Sequence, residues 1–533
     1  LLWPVFFIFV MMNFKRVTYY IIAGLLLLFG ACTKHPVTLC VLETSDLHGR
    51  FDPAAAGMAG YIRNVQEEYG SRLMLFDVGD YLQGTPAIYY SGHVDTTGKH
   101  LCAAFFDWFP YTAVTVGNHD IEAGMEVFSR VYRQTQVPVL SANIIRKSNG
   151  EPYFTPYQIF TVKGYRVAVL GLVTPHVSTW VAERLRPGLA FLSIEASAQY
   201  WVSYILENEN PDLMIGLFHT GAEGGAGGPL GNENAALWIA ENVPGIDLIC
   251  YGHDHRPALH TVINKNRDTV WLMNPGARGR AVARAEIKLF PDSRLKQVRA
   301  ELVEVNDLPP DPEYMKDFDP YFKLATDYES KPIAHILHSM ESNAVFSGPC
   351  RWVDEVHRGQ LALAGLGSDI LPEVSFASAL QANAFIEEGQ MFLKDFFTWF
   401  PYENSLCVVE MTGNEIKDYL EYSCDQTSII NFDTAAGILY TVCKDRPAGN
   451  RIIIHGMADG FAFVPERKYH VVMNSYRAQG GGGHLFNGPG WDAATASARI
   501  VWESKTDMRK LFMEWEASRS PFNPEPLNHW QYK

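Results

Sequence analysis

Cysteine is scarce in this chain and never closely paired: there are 8 Cys in 533 residues and no C-x-x-C. That spacing excludes a zinc ribbon and outlines no disulfide framework. Cys40, Cys102, Cys250, Cys350, Cys407, Cys424 and Cys443 are therefore expected as buried thiols that pack like small apolar side chains. Positive charge is in deficit as well. Against 59 Asp and Glu stand 44 Lys and Arg, a formal net charge of −15. This argues against nucleic-acid polymers as partners and against docking on an anionic membrane by charge. An anionic substrate would need a local source of positive charge, which a bound metal can supply. The sequence has no internal repeat, no low-complexity tract, and no glycine run followed by the lysine of a P-loop.

What is present begins with residues 1–32, which read as a targeting segment. In "MNFKRVTYYIIAGLLLLFGAC", Lys15 and Arg16 precede an apolar run from Tyr19 to Phe29, and Gly30 and Ala31 precede Cys32. The run is shorter than the ~20 residues of a membrane span. The pattern is that of a bacterial lipoprotein signal in which Cys32 becomes the lipidated first residue. It implies a protein of the cell envelope, attached to the membrane through Cys32 and facing the periplasm. The preceding "LLWPVFFIFV" carries no initiator, and Met12 is expected as the start.

The length calls for two domains. Apolar runs that end in polar clusters recur through residues 37–305: "VTLCVLETSD", "RLMLFDVGD", "YTAVTVGNHD", "YRVAVLGLVT", "DLMIGLFHTG", "IDLICYGHDH" and "TVWLMNPGARG". Helix-like stretches such as "MAGYIRNVQEEYG" and "MEVFSRVYRQT" lie between several of them, which is the alternation of an α/β layered domain. Continuously apolar strands imply sheets covered on both faces. Residues 306–332 turn rich in Pro and Asp and then helical, and read as a linker to a second domain over 333–525.

Sheets of this kind place ligands at the C-terminal ends of their strands. Those ends gather Asp46 and His48 from "SDLHG", Asp80 from "VGD", Asn118 and His119 from "GNHD", His219 from "LFHTG", and His253 and His255 from "GHDH". Carboxylate, imidazole and amide are ligands that Mn, Fe or Zn accept, and no cysteine is among them. Each element alone has a bland reading as turn chemistry. Five in this order, each after an apolar strand, do not.

These motifs resemble the calcineurin-like metallophosphoesterases. The resemblance implies a four-layer sandwich in which helices flank two β-sheets, and two divalent ions such as Zn or Mn. It places Asp46, His48 and His255 on one ion, Asn118, His219 and His253 on the other, and Asp80 between them. Two ions ~3.5–4 Å apart clamp a phosphoryl group and lower the pKa of a bound water, so no protein nucleophile is required. His119 matches the family's catalytic histidine. Related nucleotidases orient it with an Asp three residues on, where this chain has Glu122; Asp120 is the other candidate.

The second domain, through "FFTWFPYENSLCVVEMTGNEIKDYLEYS" and "YHVVMNSYRAQGGGGH", resembles the C-terminal α+β domain of the 5'-nucleotidase / 2',3'-cyclic-nucleotide 2'-phosphodiesterase family. There two aromatic rings sandwich the nucleobase; by position they are Tyr402 and Tyr476. The family's Asn-Gly-Gly-Gly-Ile-Arg element is replaced by "VSFASALQANA", which leaves the 5', 3' and 2',3'-cyclic esters open as substrates. Gly480 to Gly483 read as a tight turn that lets the base approach the backbone. The expected partner is a nucleotide held between the domains of a monomer, with closure about the linker. The alternatives are a sugar-nucleotide or other phosphoester hydrolase, and a nucleotide-binding lipoprotein with an inactive site. If Met12 is the start, deletion of residues 1–11 leaves membrane attachment intact in a fractionation assay, and its loss refutes that start.

Overall fold

The computed structural model describes residues 35–533 apart from 52, 54, 229, 292–295 and 367–368. Cys32 and the rest of the segment read above as a targeting signal lie outside the described residues. The strand Val37–Thr44 shows how the first half is built. Its side chains alternate sides: Leu39 and Val41 face a core between two sheets, while Cys40 and Leu42 face a core beneath helices. Both faces are dry, so Leu39 to Leu42 read as an unbroken apolar run, which the buried Glu43 and Thr44 end. Leu213–His219 repeats the device in the other sheet, with Leu213, Ile215 and Leu217 inward and Met214 and Phe218 outward.

One sheet has the strand order Lys296–Glu304, Ala281–Leu289, Val37–Thr44, Leu73–Asp77, Tyr111–Val114, with the last three parallel. The other runs Ala258–Ile263, Thr269–Asn274, Leu248–Tyr251, Leu213–His219, Tyr165–Val173, Tyr157–Val162, with its four central strands parallel. Helices Ala55–Tyr69, Leu101–Trp108 and Met125–Gln134 cover the first sheet, and Ile194–Glu209 and Ala236–Asn242 cover the second. This is the expected four-layer sandwich. Among the described residues no helix is long and apolar enough to cross a membrane, and the seven cysteines are free thiols, six of them buried.

The Pro- and Asp-rich segment departs from a simple linker. Asp311 caps the helix Pro312–Glu329 by accepting from Tyr314 N, and Pro312 opens it. Tyr314 and Phe318, four residues apart, share one face and sink into the first domain's core; Tyr314 also donates a hydrogen bond to the Phe51 carbonyl. Arg63 pairs with Asp311 at 2.7 Å and with Glu313 at 2.6 Å. The helix is thus a strap bound to the first domain. At its far end Tyr328 packs with Leu393 and Phe397 of the second domain.

The second domain centres on a five-stranded sheet, ordered Thr434–Ala436, Val374–Ala377, Lys468–Asn474, Leu406–Thr412, Ile500–Glu503, with Arg351–Leu363 and Gly413–Ser423 packed beside it. Strand Trp530–Tyr532 pairs in parallel with Tyr440–Val442, so the domain runs past 525. Between the domains Tyr89 meets Phe397 edge-on at 5.6 Å, and the Arg509 guanidinium lies 3.9 Å over Phe397. Tyr314→Ala should lower the unfolding free energy of the first domain by about 3–5 kcal/mol, and Tyr314→Phe by about 1, in chemical denaturation. A loss below 1 kcal/mol for the Ala variant would mean that the strap is not part of the core.

Candidate metal centre and active site

Every sequence-derived ligand lies just past, or at, the end of a buried strand, and most have an unusual backbone. Asp46, His48, Asp80, His253 and His255 have φ of +50°, +49°, +61°, +75° and +57°. Asp and His tolerate this left-handed region better than most residues, yet each position costs on the order of 1–3 kcal/mol. Hydrogen bonds between the strand ends hold it: Asp46 N donates to Gly79 O at 3.0 Å, His48 N to Asp80 O at 2.9 Å, and His253 N to the Asp46 carboxylate at 3.1 Å. The motif glycines follow from close approach. A Cβ at Gly117 would overlap the Asp80 carboxylate, and one at Gly252 would overlap Asp46 and Ser45.

The strand ends bring all seven candidate ligands together. Potential ligand atoms of Asp46, His48, Asp80 and His255 lie within 4.8 Å of one another, as do those of Asp80, His219 and His253, so Asp80 belongs to both sets. Asn118 Oδ1 joins the second set, 3.1 Å from His219 Nε2, which is also 3.2 Å from Asp80 Oδ2. In the first set His48 Nε2 and His255 Nε2 face each other at 2.9 Å, and His255 Nε2 is 3.4 Å from Asp46 Oδ1.

Charge explains what this arrangement attracts. Burial opposes ionisation of Asp46, but the His255 hydrogen bond and the nearby His219 hold its pKa down at about 2. Asp80 is likewise held well below the usual carboxylate range, against its burial, by His219 and His119. Burial lowers His219 while Asp80 raises it, to about 9 on balance; His119, pulled the same way by Glu122 and Asp80, reaches about 10. Two buried anions whose field holds protons this firmly, ringed by nitrogen and oxygen donors, fit divalent cations.

His119 stands beside this cluster, its ring 5.3 Å from that of His48 and its backbone N donating to Asp80 Oδ1 at 2.8 Å. Its Nδ1 is 2.7 Å from Glu122 Oε2, which also accepts from Gln83 Nε2 at 3.1 Å. Asp120 does something else, which corrects the alternative drawn from sequence. Its carboxylate accepts the backbone N–H groups of Asp80 at 3.0 Å, Tyr81 at 2.9 Å, Leu82 at 2.8 Å and Gly117 at 2.7 Å. It has turned away from the histidine to clamp two strand ends, and Glu122 orients the ring.

A cleft of about 620 Å³ opens from His119 and Asn118 to the second domain, where Tyr402 and Tyr476 line it. The Tyr402 ring stacks towards His119 at 6.0 Å and 17°. Asn404 fixes the two tyrosine loops together, its Oδ1 accepting from Tyr476 N at 3.1 Å. Behind them, buried Arg477 grips Asp433 through Nε and Nη2, both at 3.0 Å, and the Gly481 carbonyl at 3.0 Å. The glycine run folds around this guanidinium: a Cβ at Gly481 would strike the Tyr476 ring. The run is thus the tight turn its sequence suggests, with φ of +94°, +70° and +76° at Gly480, Gly482 and Gly483, and it closes on Tyr476. Lys505 and Lys510 line the cleft, whose wall lacks the family's arginine element. Sequence reasoning missed them, and also Trp180 and Glu233, which contact His253.

Asp120→Ala should lower the unfolding free energy by about 3 kcal/mol or more, since it orphans four buried donors. Glu122→Gln should cost under about 1 kcal/mol in the same denaturation assay. The reverse order would exchange the two roles.

Sequence profiles agree with this architecture. That of calcineurin-like phosphoesterases matches residues 41–257, and that of the 5'-nucleotidase C-terminal domain matches residues 333–488. The trifunctional nucleotide phosphoesterase protein YfkN of Bacillus subtilis is 24% identical over 93% of this chain, which spans 39% of that protein's length. The 2',3'-cyclic-nucleotide 2'-phosphodiesterase/3'-nucleotidase of Haemophilus influenzae is 23% identical, over 94% of this chain and 88% of its own. A 5'-nucleotidase of Vibrio vulnificus is 24% identical, over 92% and 96%. A candidate 5'-nucleotidase of Staphylococcus aureus, solved with α-ketoglutarate, shares the fold with a TM-score of 0.77 at 21% identity, covering 93% of this chain and 100% of that one. The chain thus joins a calcineurin-like phosphoesterase domain to a 5'-nucleotidase C-terminal domain.

Proposed function

We propose that the chain is a two-metal nucleotide phosphohydrolase, acting as a 5'-nucleotidase or as a 2',3'-cyclic-nucleotide 2'-phosphodiesterase/3'-nucleotidase. One observation carries this reading. Two ligand sets that share Asp80 open, at His119, on a cleft whose far wall bears Tyr402 and Tyr476. Asp46, His48 and His255 would hold one ion and Asn118, His219 and His253 the other, with Asp80 serving both. Zn or Mn suits these donors. Such a pair supplies positive charge to the phosphoryl oxygens and acidity to a water positioned for in-line attack.

The remaining work falls to the chain. His119 is tied to Glu122 through Nδ1, which leaves Nε2 free to donate to a phosphoryl or leaving-group oxygen. Tyr402 and Tyr476 would stack on the base, at ~1–3 kcal/mol per ring and with little discrimination among bases. The names of the Bacillus, Haemophilus and Vibrio relatives support nucleotides as the substrate class and leave the ester position open. The Cys32 pattern supports a lipid-anchored envelope protein facing the periplasm.

The test is phosphate release from 5'-, 3'- and 2',3'-cyclic nucleotides by the chain without residues 1–32, supplied with Mn²⁺ or Zn²⁺. Turnover of at least one is expected; none at all refutes the reading. His119→Ala should lower kcat by about 10²–10⁴ while metal content stays near two ions per chain. Tyr402→Ala should act through KM, by ~1–3 kcal/mol. Equal loss of metal and rate in His119→Ala would make His119 a ligand.

A further inference from the structure

The two halves of the metal centre are not built alike. In the half of Asp80, His219 and His253, both imidazoles are held from behind. His219 Nδ1 donates to the Val78 carbonyl at 2.8 Å, which leaves Nε2 facing Asp80 and Asn118. His253 Nε2 lies 3.0 Å from Glu233 Oε1, which leaves Nδ1 for an ion. Trp180 lies over the His253 ring at 5.5 Å and 20°, so that ring is fixed at one edge and on one face. In the other half, His48 and His255 turn their Nε2 atoms to each other. Among the described residues neither has a hydrogen bond from Nδ1. Exposure sets His255 apart: its side chain is 46% exposed, against 12% for His253 and 0% for His219, while His48 is buried.

Glu233 is itself fixed. It ends the glycine-rich loop between strand Leu213–His219 and helix Ala236–Asn242. Its Oε2 accepts from Ala226 N at 2.7 Å, its backbone N donates to Ala226 O at 2.7 Å, and its carbonyl accepts from Thr220 Oγ1 at 2.6 Å. It lies outside both sets of candidate ligand atoms. A carboxylate hydrogen-bonded to the far nitrogen of a ligating histidine fixes the ring's tautomer and orientation and makes the other nitrogen a stronger donor; its loss costs about 10–100-fold in metal affinity. A backbone carbonyl gives His219 a weaker form of the same support, and among the described residues His48 and His255 have neither.

We infer that Glu233 is a positioning residue of the metal centre, and that it makes the Asp80–Asn118–His219–His253 half the tighter one, filled before the half of Asp46, His48 and His255. The inference rests on the two-metal reading and adds to it an order of filling and a residue that sets the order. It also predicts that the outer ion exchanges first.

The test is calorimetric titration of the metal-stripped chain with Mn²⁺, with Co²⁺ absorption as a second readout. Two separate binding steps are expected. His255→Ala should keep one ion at the affinity of the tighter step, whereas His219→Ala should keep only weak binding. Glu233→Gln in the His255→Ala background should weaken the remaining ion about 10–100-fold and alter the Co²⁺ spectrum. Unchanged affinity and spectrum, or a tight ion retained by His219→Ala, overturns the inference and leaves the two-metal reading standing. Failure of the unmutated, folded chain to bind any divalent ion overturns both.

Discussion

The Asp80 carboxylate sets the terms for the first domain's functional end. It is buried at 1% exposure, belongs to both ligand sets, and sits on a residue with φ of +61°. A buried anion is tolerable only where donors surround it. Its neighbours meet that demand in several ways: His119 donates a backbone N–H, His219 approaches with Nε2, and Gly117 gives up its side chain to leave room. The loop that presents Asp80 is then secured from below by Asp120, whose own buried charge is spread over four backbone N–H groups. Two carboxylates thus divide the labour, one shared by the two sets of candidate ligands and one holding the loop that presents it.

The legible part of this design was the part encoded locally. A strand buried on both faces is largely apolar, so the polar cluster at its C-terminal end stands out, and Asp46, Asp80, Asn118 and His219 could be picked on that basis. Asp120 could not be resolved from Glu122 in the same way. Both are acidic and within three residues of His119, and only the fold decides which faces the ring and which faces the backbone of residues 80–82. Glu233 was illegible for a related reason. It lies 20 residues from His253 in a loop with neither helical nor strand periodicity, and the contact exists only because the glycine-rich segment doubles back. The strap helix was half legible: Pro and Asp announced a boundary, while the Tyr314 and Phe318 stripe that binds it to the first domain was masked by that composition.

In the second domain the motif words acquire separate physical tasks. "NFD" and "NSYR" meet in the ion pair of Asp433 and Arg477, which is buried and so depends on full satisfaction of both partners. The guanidinium also holds the Ile430 and Gly481 carbonyls, which ties the loop before Asp433 to the turn after Tyr476. Asn404 adds the third tie, from the loop of Tyr402 to the backbone of Tyr476. The two rings are therefore set by polar groups that need touch no ligand, and the spacing between them is a property of the scaffold.

The strap Pro312–Glu329 also decides how the two domains can move. Fixed to the first domain by Tyr314 and Phe318, it cannot share in a rotation, so the freedom to turn is left to the few backbone bonds from Ser330 to Pro332. Pro332 contributes little, because its ring fixes φ. Tyr328, one residue before the helix ends, lies against Leu393 and Phe397 and serves as a bearing surface for that short pivot. Any turn of the second domain against the first would therefore be confined to a single joint at the end of a stiff arm, and the placement of that joint would fix the arc of Tyr402 and Tyr476 relative to the candidate metal ligands.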